Sequence, residues 1–234
     1  MNAFHFKQFS VHHELCAMKV GTDSVLLGAW SDCCSAHTVL DVGTGSGILA
    51  LMAAQRNPSA HITAIEIDPS AVQQAEFNVR QSPWAERITV ILADIRCWNP
   101  QTKFDCILCN PPFYSNGLLS PTDLRNQARQ TACLPFEDLI RACVSLLTEQ
   151  GTFHVIIPAE SCDLFSQLCW ENNLYALRKV WVHTKENKPA KRVLLSFSRT
   201  QVPYPLSEQL VLKTQTNEPT EEYRLLTGDF YLKL

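Results

Sequence analysis

The 234 residues of the chain are enough for one large α/β domain or two small ones. Hydrophobic residues make up 46% of the sequence and charged residues 18%, so the chain can bury a sizeable core. The formal net charge of −3 argues against a purely electrostatic nucleic-acid binder, which would be basic overall, so any such role must depend on a local basic patch.

The ten cysteines do not indicate a disulfide-linked secreted protein. The N-terminal sequence MNAFHFKQFS has no signal-sequence pattern, and no apolar run approaches the length of a membrane span. Most cysteines lie in apolar segments, where a free thiol acts as a small hydrophobic side chain, so we expect reduced thiols and a cytoplasmic protein. Cys106 and Cys109 form a CxxC pair, but no second pair or histidine cluster completes a zinc site, and we expect no metal.

Predicted strands and helices alternate along the chain. After residues 1–30, which contain one predicted helix at 24–30, a strand at 38–42 leads through a glycine-rich turn into a helix at 48–55. The other predicted strands are 60–67, 88–92, 104–109, 152–157, 174–182 and 193–197, and the other predicted helices are 68–81, 135–147 and 159–172. This alternation predicts an α/β fold with a doubly wound, seven-stranded sheet. Ligands of such sheets bind beyond the carboxyl ends of the strands.

The turn after the first predicted strand reads Leu40-Asp41-Val42-Gly43-Thr44-Gly45-Ser46-Gly47. Glycine lets the backbone approach a ligand where a side chain would collide, and the order strand, glycines, helix is that of a nucleotide cradle. The dinucleotide fingerprint is GxGxxG, whereas here the third glycine comes one place early, which disfavours an NAD dehydrogenase. The pattern resembles the S-adenosylmethionine cradle of class I methyltransferases. That cofactor has a cationic amino-acid end and no pyrophosphate, so Asp41 fits its charge.

Acidic residues follow the next two predicted strands. Glu66 closes the second strand, where a carboxylate can accept hydrogen bonds from both ribose hydroxyls. Asp94 follows the third strand, where an acid can accept a hydrogen from the adenine amine. The alternative for Glu66 is a solvated acid that flanks a helix. The glycine turn and the two acids together predict an S-adenosylmethionine site.

The fourth predicted strand stops at Asn110-Pro111-Pro112-Phe113. A plain strand stop followed by a turn is one explanation, because Asn-Pro often begins turns. The segment also resembles the Asn/Asp/Ser-Pro-Pro-aromatic motif of methyltransferases that act on planar nitrogens. In that chemistry the Asn110 side-chain oxygen and the Pro111 carbonyl each accept one amine hydrogen, the prolines fix both acceptors, and Phe113 stacks on the base. The motif does not distinguish adenine, guanine and glutamine side-chain nitrogens.

Segments spread over the whole chain make the resemblance specific to one family of methyltransferases. They are FKQF at 6–9, CAMKVGTDSVLLGAW at 16–30, SPW at 82–84, NPPF at 110–113, KPAKR at 188–192 and DFYLK at 229–233. Together they resemble the bacterial valine-tRNA adenine-N6 methyltransferases, which modify the adenosine just 3′ of the anticodon. The resemblance implies a Rossmann-like class I methyltransferase with a mostly parallel sheet whose last strand is antiparallel. It also implies one domain, with residues 1–30 bordering the cofactor site, 31–200 forming the core and 200–234 extending it.

The resemblance completes the set of predicted site residues. In that family the segment near Lys19 and Thr22 borders the amino-acid end of the cofactor, although a helix N-cap is the alternative for Thr22 and Asp23. The predicted catalytic residues are Asn110, Pro111, Pro112 and Phe113. The predicted S-adenosylmethionine-binding residues are Thr22, Asp41, Gly43, Gly45, Gly47, Glu66, Asp94 and Asn110.

The anticodon loop of tRNA is the implied partner of a monomeric enzyme. Residues 178–199 carry seven basic side chains against one acidic side chain, a local net charge of +6. Residues 185–192 are predicted to form a loop beside the active-site edge, with Lys188, Lys191 and Arg192 binding phosphate. The alternative is a solvated loop.

Other functions remain open at the level of the sequence. A methyltransferase of the glutamine amide nitrogen in a translation release factor usually has NPPY and a helical N-terminal domain, for which residues 1–30 leave no room. Methylation of DNA adenine or ribosomal guanine is another alternative. A noncatalytic RNA-binding protein with a vestigial fold is disfavoured, because both the glycine turn and the NPPF segment are intact.

Overall fold

The computed structural model of the chain describes residues 3–112 and 134–233. Its centre is an eight-stranded sheet with the order β10-β8-β9-β7-β6-β3-β4-β5. The strands are β3 (Thr38–Val42), β4 (His61–Glu66), β5 (Ile88–Leu92), β6 (Phe104–Cys109), β7 (Leu147–Pro158), β8 (Tyr175–Lys185), β9 (Ala190–Ser198) and β10 (Leu206–Lys213). A separate two-stranded antiparallel sheet joins β1 (Phe4–His5) and β2 (Ser10–Val11).

The large sheet is parallel except at β9, which runs antiparallel to both β7 and β8. The predicted α/β class and the antiparallel direction of the strand near 193–197 are therefore confirmed. The predicted number of seven strands is wrong, because β10 adds an eighth strand at the edge, parallel to β8. Only Leu210 of β10 is buried, so this strand lacks the continuous apolar run that identifies an interior strand.

Helices cover both faces of the sheet in the part of the chain that the structure describes. They are α1 (Thr22–Trp30), α2 (Ile48–Arg56), α3 (Pro69–Arg80), α4 (Phe136–Leu146), α5 (Cys162–Glu171) and α6 (Glu221–Thr227). The core on one face includes buried side chains of α1, α2, α3 and α6, and the core on the other face includes those of α4 and α5. None of these helices is both long and apolar enough to cross a membrane.

Local chemistry explains where these helices begin. Asp68 caps α3 by accepting a hydrogen bond of 2.8 Å from the Ser70 amide, and Pro69 occupies the first turn, as the sequence predicts. The start of α1 differs from the prediction, because the helix begins at Thr22 and Gly21 is its N-cap residue. The N-cap alternative for Thr22 and Asp23 is therefore wrong.

Strand β6 contributes side chains to both cores. Its pleat directs Cys106 and Leu108 into the core of α1 and α2, and Ile107 and Cys109 into the core of α4 and α5. Burial raises the pKa of both thiols well above the usual value. The two sulfur atoms of the CxxC pair therefore lie on opposite faces of the sheet and cannot bind one metal ion together.

The N-terminal segment is held by residues near the other end of the chain. Phe6 pairs with Tyr231 in an isolated antiparallel bridge, and the Lys7 amide donates to the Phe230 carbonyl over 2.8 Å. Phe6 also stacks on Phe9, with ring centroids 4.6 Å apart. These contacts fix the path along which residues 10–16 reach the carboxyl edge of the sheet.

Candidate active site

The candidate site lies at the switch point of the sheet. Strands β3 and β6 are neighbours, and Val42 is paired with Cys109 at their carboxyl ends. From β3 the chain continues to β4 and β5 on one side, while β6 and β7 lie on the other side. The crevice between the two halves of such a sheet is where ligands bind, so the segments that follow β3 and β6 face the same space.

The glycine turn after β3 has an open inner surface. Gly43, Gly45 and Gly47 have φ angles of 67°, 54° and 84°, a region in which glycine carries no steric cost. A Cβ atom placed on Gly43 or Gly45 would meet no atom within 4 Å, whereas one on Gly47 would lie 3.5 Å from Ala75. The first two glycines therefore border free space, and the third allows α2 to pack closely on α3.

Asp41 is buried beneath the glycine turn. Its Oδ2 atom accepts hydrogen bonds from the Thr44 hydroxyl and, over 3.1 Å, from the Ala50 amide. Its Oδ1 atom has no hydrogen-bond partner in the described parts of the chain. Burial raises the pKa of Asp41 to about 7, against the hydrogen bonds that favour the carboxylate. Asp41 therefore fastens the turn to the start of α2 and keeps one acceptor unused.

Glu66 joins the ends of β3 and β4. Its Oε2 atom accepts from the Gly45 amide over 2.9 Å, and its Oε1 atom accepts from the Ile67 and Asp68 amides over 2.8 and 3.1 Å. Asp94 follows β5 and forms an ion pair of 2.5 Å with Arg96, whose guanidinium lowers the pKa of this carboxyl. Both acids thus lie at the carboxyl edge, as the sequence predicts.

Asn110 lies directly after β6, across the switch point from the glycine turn. Its Nδ2 atom donates to the Ser24 hydroxyl oxygen over 2.9 Å, so the amide nitrogen points toward the first turn of α1. Pro111 is buried and Pro112 is partly buried, which leaves this backbone little freedom. Phe113, the fourth predicted catalytic residue, lies outside the described residues.

Residues 12–15 of the N-terminal segment are bound to α3 by two buried amide side chains. Asn78 accepts from the His12 amide over 2.9 Å and donates to the carbonyls of His12 and Ser46 over 2.7 and 2.8 Å. Gln74, one turn earlier, accepts from the Leu15 amide over 3.1 Å. Asn78 therefore links the N-terminal segment to the glycine turn through its own amide group.

The β8–β9 hairpin brings the basic segment to the same edge. Because β9 returns antiparallel to β7, Arg192 lies beside Pro158 at the carboxyl end of β7. Its Nε atom is 2.7 Å from Oδ2 of Asp23 in α1. Lys188 and Lys191 are exposed. The predicted loop at 185–192 is wrong in extent, since β9 begins at Ala190 and includes Lys191 and Arg192.

Comparison with known proteins identifies the family. The model of the methyltransferase small domain matches residues 17–161. The tRNA1(Val) (adenine(37)-N6)-methyltransferase of Bacteroides thetaiotaomicron is 43% identical over 99% of this chain and 98% of its own length, and that of Actinobacillus succinogenes is 43% identical over the same shares. The chain belongs to the tRNA1(Val) (adenine(37)-N6)-methyltransferase family. The predicted resemblance and the S-adenosylmethionine-dependent methyltransferase class are therefore confirmed.

Solved structures with the same fold support this class at the level of architecture. A predicted O-methyltransferase from Agrobacterium tumefaciens has a TM-score of 0.69, with 20% identity over 89% of this chain and 96% of that chain. A putative RNA methyltransferase from Pyrococcus horikoshii has a TM-score of 0.55, with 17% identity over 75% of this chain and 80% of that chain. At these identities the likeness concerns the fold alone.

In this member of the tRNA1(Val) (adenine(37)-N6)-methyltransferase family, the predicted site residues fall into two groups. The glycine turn, Glu66, Asp94 and Asn110 surround one edge of the sheet, and Thr22 begins the helix that contacts Asn110. Lys188 and Lys191 lie on the hairpin at that edge but have no described contact with the turn.

Three residues that hold the segments of the candidate site together were not identified from the sequence: Asp23, Ser24 and Asn78. The sequence does offer one signal for Asn78, since it occupies the apolar stripe of α3 that also contains Ala71, Ala75 and Val79. A polar side chain on such a stripe requires buried hydrogen-bond partners.

Proposed function

We propose that this protein methylates the N6 amine of adenine 37 in valine tRNA, in the cytoplasm. The relatives that match nearly the whole chain carry this activity in their names. The observation that carries the proposal is the amide of Asn110, which lies at the switch point beside the open glycine turn. An amide oxygen in this position would accept an amine hydrogen next to the space that a nucleoside cofactor requires.

The residues around the glycine turn suit S-adenosylmethionine. The free space at Gly43 and Gly45 admits a ligand against the backbone, and the unpaired Oδ1 atom of Asp41 is an acceptor in a buried environment. Glu66 adds negative charge at the same edge, which favours a cation and disfavours a pyrophosphate, whereas the charge of Asp94 is balanced by Arg96. When bound, the cofactor supplies a methyl group on a positively charged sulfur.

Asn110 and Pro111 orient the target amine. The lone pair of an aromatic amine is delocalised into the ring, so the nitrogen is a poor nucleophile in its planar form. If the Asn110 Oδ1 atom and the Pro111 carbonyl each accept one amine hydrogen, the nitrogen is held closer to a pyramidal form and its lone pair is aimed at the methyl group. The prolines keep both acceptors in place, so little reorganisation accompanies the reaction.

No strong general base is required. The amine becomes acidic as its nitrogen gains the methyl group, and its proton then passes to water. The described side chain that contacts Asn110 agrees with this, because the Ser24 hydroxyl is uncharged. The remaining predicted contact, Phe113 stacking on the extruded base, is part of the same proposal.

Lys188, Lys191 and Arg192 contribute to binding of the tRNA backbone. They lie on the hairpin that ends at the carboxyl edge, beside the proposed site for adenine. Lys188 and Lys191 are exposed and can meet a polyanion, and Arg192 is anchored by Asp23. Cations in this position neutralise phosphates next to the base that enters the site.

A methylation assay tests the proposed function. The purified protein is incubated with labelled S-adenosylmethionine and total tRNA from a strain that lacks the enzyme, and the labelled nucleoside is identified and mapped. We expect N6-methyladenosine at position 37 of valine tRNA. A label on guanine or on another tRNA would replace the proposed substrate with that one, and the absence of transfer to any tRNA would contradict the proposed function.

A further inference from the structure

The first turn of α1 contacts the proposed catalytic amide. Ser24 is the third residue of α1, and its Oγ atom lies 2.9 Å from Nδ2 of Asn110. Both side chains are partly buried. The two residues are 86 positions apart in sequence, so the contact depends on how α1 is seated at the carboxyl end of β6.

The direction of the Asn110 amide decides whether it can act. A primary amide has an acceptor oxygen at one end and a donor NH2 group at the other. Rotation of the side-chain amide by about 180° would exchange the two ends and place N–H donors against the hydrogens of the substrate amine. Only the orientation with the oxygen toward the substrate fits the proposed reaction.

We propose that Ser24 is a positioning residue that sets the direction of the Asn110 amide. By accepting a hydrogen from Nδ2, the serine hydroxyl holds the nitrogen end toward α1 and leaves Oδ1 at the opposite end for the substrate amine. This inference rests on the proposed function of Asn110 as the amine acceptor. It adds a residue that does not touch the substrate and acts through Asn110.

The rest of α1 keeps the serine hydroxyl in place. Asp23, the preceding residue, is paired with Arg192 over 2.7 Å, which ties the first turn of the helix to β9. All residues from Val25 to Trp30 are buried. Near the other end, the Arg56 guanidinium donates to the Gly28 carbonyl over 3.0 Å. The position of Oγ is therefore set by packing and by contacts at both ends of the helix.

A carboxylate at position 110 provides a sharp test. Aspartate has an acceptor oxygen at both ends, so its orientation does not matter. If Ser24 acts by orienting the amide, Ser24→Ala should slow single-turnover methylation of saturating tRNA by about 5- to 10-fold in the wild-type background. The same change in an Asn110→Asp background should cost less than about 2-fold.

Two further variants control for helix damage. Ser24→Thr keeps the hydroxyl and should stay within about 2-fold of wild type. Ser145→Ala removes another helical hydroxyl, on the exposed surface of α4, where Oγ donates to the Ala142 carbonyl, and should leave turnover unchanged. Cofactor affinity, measured by calorimetry, should be the same in wild type and in the Ser24 and Ser145 variants. Equal losses from Ser24→Ala in both backgrounds would indicate a merely structural role and overturn the proposal.

A measurement without substrate separates this inference from the proposed function. The Asn110 side-chain NH2 signals in a nitrogen-15 spectrum can be assigned through their loss in Asn110→Asp. We expect these protons to exchange with water faster in Ser24→Ala than in wild type. Unchanged exchange would contradict the hydrogen bond to Ser24, even in an active enzyme. If wild type methylates no tRNA, the proposed function fails, and the exchange result still decides whether Ser24 holds the amide.

Discussion

Asn110 is the residue on which the proposed chemistry depends most. Replacing it with alanine removes one of two preorganised acceptors, and turnover should fall by roughly 10²- to 10³-fold, as when one oxyanion-hole donor is lost. Asn110→Asp should retain more activity, because a carboxylate still accepts hydrogen bonds. Single-turnover methylation of saturating tRNA measures the effect, with melting curves as the folding control. A folded Asn110→Ala enzyme within a few-fold of wild type would reduce the motif to an ordinary turn.

Substitution of Gly45 tests whether the glycine turn binds S-adenosylmethionine. Its φ angle of 54° and the free space beside it mean that Gly45→Val should place a branched side chain where the ligand approaches. Calorimetry should show no binding of S-adenosylmethionine to the folded variant, and NAD should bind to neither protein. Gly45→Ala is the control, because it also places a side chain at a positive φ, at a cost of about 1–2 kcal/mol, but adds far less bulk. Undiminished cofactor binding by Gly45→Val would contradict the proposed cradle.

The site residues that could be identified from the sequence are those that stand at fixed spacing within a short motif. Asn110 and the three glycines stand in short patterns whose chemistry is readable without a structure, and the structure puts both patterns at the switch point. Ser24 and Asn78 could not be assigned in this way. Their partners are 86 and 66 positions away in the chain, and nothing in the local sequence names those partners. Proximity of this kind arises only from the packing of helices on the sheet.

At the scale of elements, the β8–β9 hairpin is the proposed contact with tRNA. Replacing Lys188 and Lys191 with glutamine should weaken tRNA binding and flatten its salt dependence by up to about one unit of slope per lost phosphate contact. Filter binding over a range of salt concentrations measures both quantities. This pair leaves the Arg192–Asp23 ion pair intact, so cofactor affinity should not change.

The matched control for the hairpin variant removes the same amount of charge at the amino ends of the strands, opposite the candidate site. Lys103 precedes β6 and Arg80 ends α3, and both are exposed there. Replacing both with glutamine should leave the salt slope of tRNA binding as in wild type. If the hairpin variant and the control have the same slope, the hairpin is only a solvated turn.

Helix α3 supports the site through Asn78. Asn78→Leu would leave the Ser46 carbonyl and both backbone groups of His12 without this partner, at a cost of about 1–3 kcal/mol for each group left buried and unsatisfied. Cofactor affinity should fall although Asn78 has no proposed contact with the ligand, and the His12 amide should lose protection from hydrogen exchange. Gln73→Leu, at an exposed position of the same helix, is the control. Unchanged affinity and protection in Asn78→Leu would contradict a link between the segments.

Interior strands with buried side chains were easiest to predict. The bounds predicted for β6 agree with the structure, because it is a largely buried apolar run between polar residues. Strand β10 escaped prediction because an edge strand is exposed and needs little apolar sequence. The start of β7 at Leu147 was also missed, since the strand follows α4 without a turn and Gly151 lies within it rather than before it.

At the scale of the whole molecule, one histidine should couple stability to pH. His154 is buried on β7 against Trp30, with ring centroids 5.8 Å apart, and burial lowers its pKa to about 4. Between pH 6.5 and 4 the unfolded chain binds a proton that the folded chain does not, so this residue makes stability fall as the pH is lowered. The full effect is about 3 kcal/mol and is complete below pH 4.

Comparison with His154→Gln isolates this effect. Asp41 has a raised pKa and acts with the opposite sign, since its contribution to stability falls as pH rises toward 7, but it is present in both proteins. The difference in the free energy of unfolding between wild type and variant, from urea denaturation at pH 7, 6 and 5, should therefore change in the variant's favour as the pH falls. A difference that is constant with pH would mean that the pKa of His154 is the same in the folded and unfolded chains.

The pairing of Phe6 with Tyr231 also constrains the order of events during protein synthesis. Residues 6–9 leave the ribosome first, but their partners at 228–231 are translated more than two hundred residues later. Until then the N-terminal segment lacks these contacts and is held beside the glycine turn by its hydrogen bonds to α3 and by the packing of Phe9 on Trp84. In a nascent or prematurely terminated chain, the wall that this segment forms beside the proposed cofactor site therefore lacks one of its supports. That support is in place only when translation of residue 231 is complete.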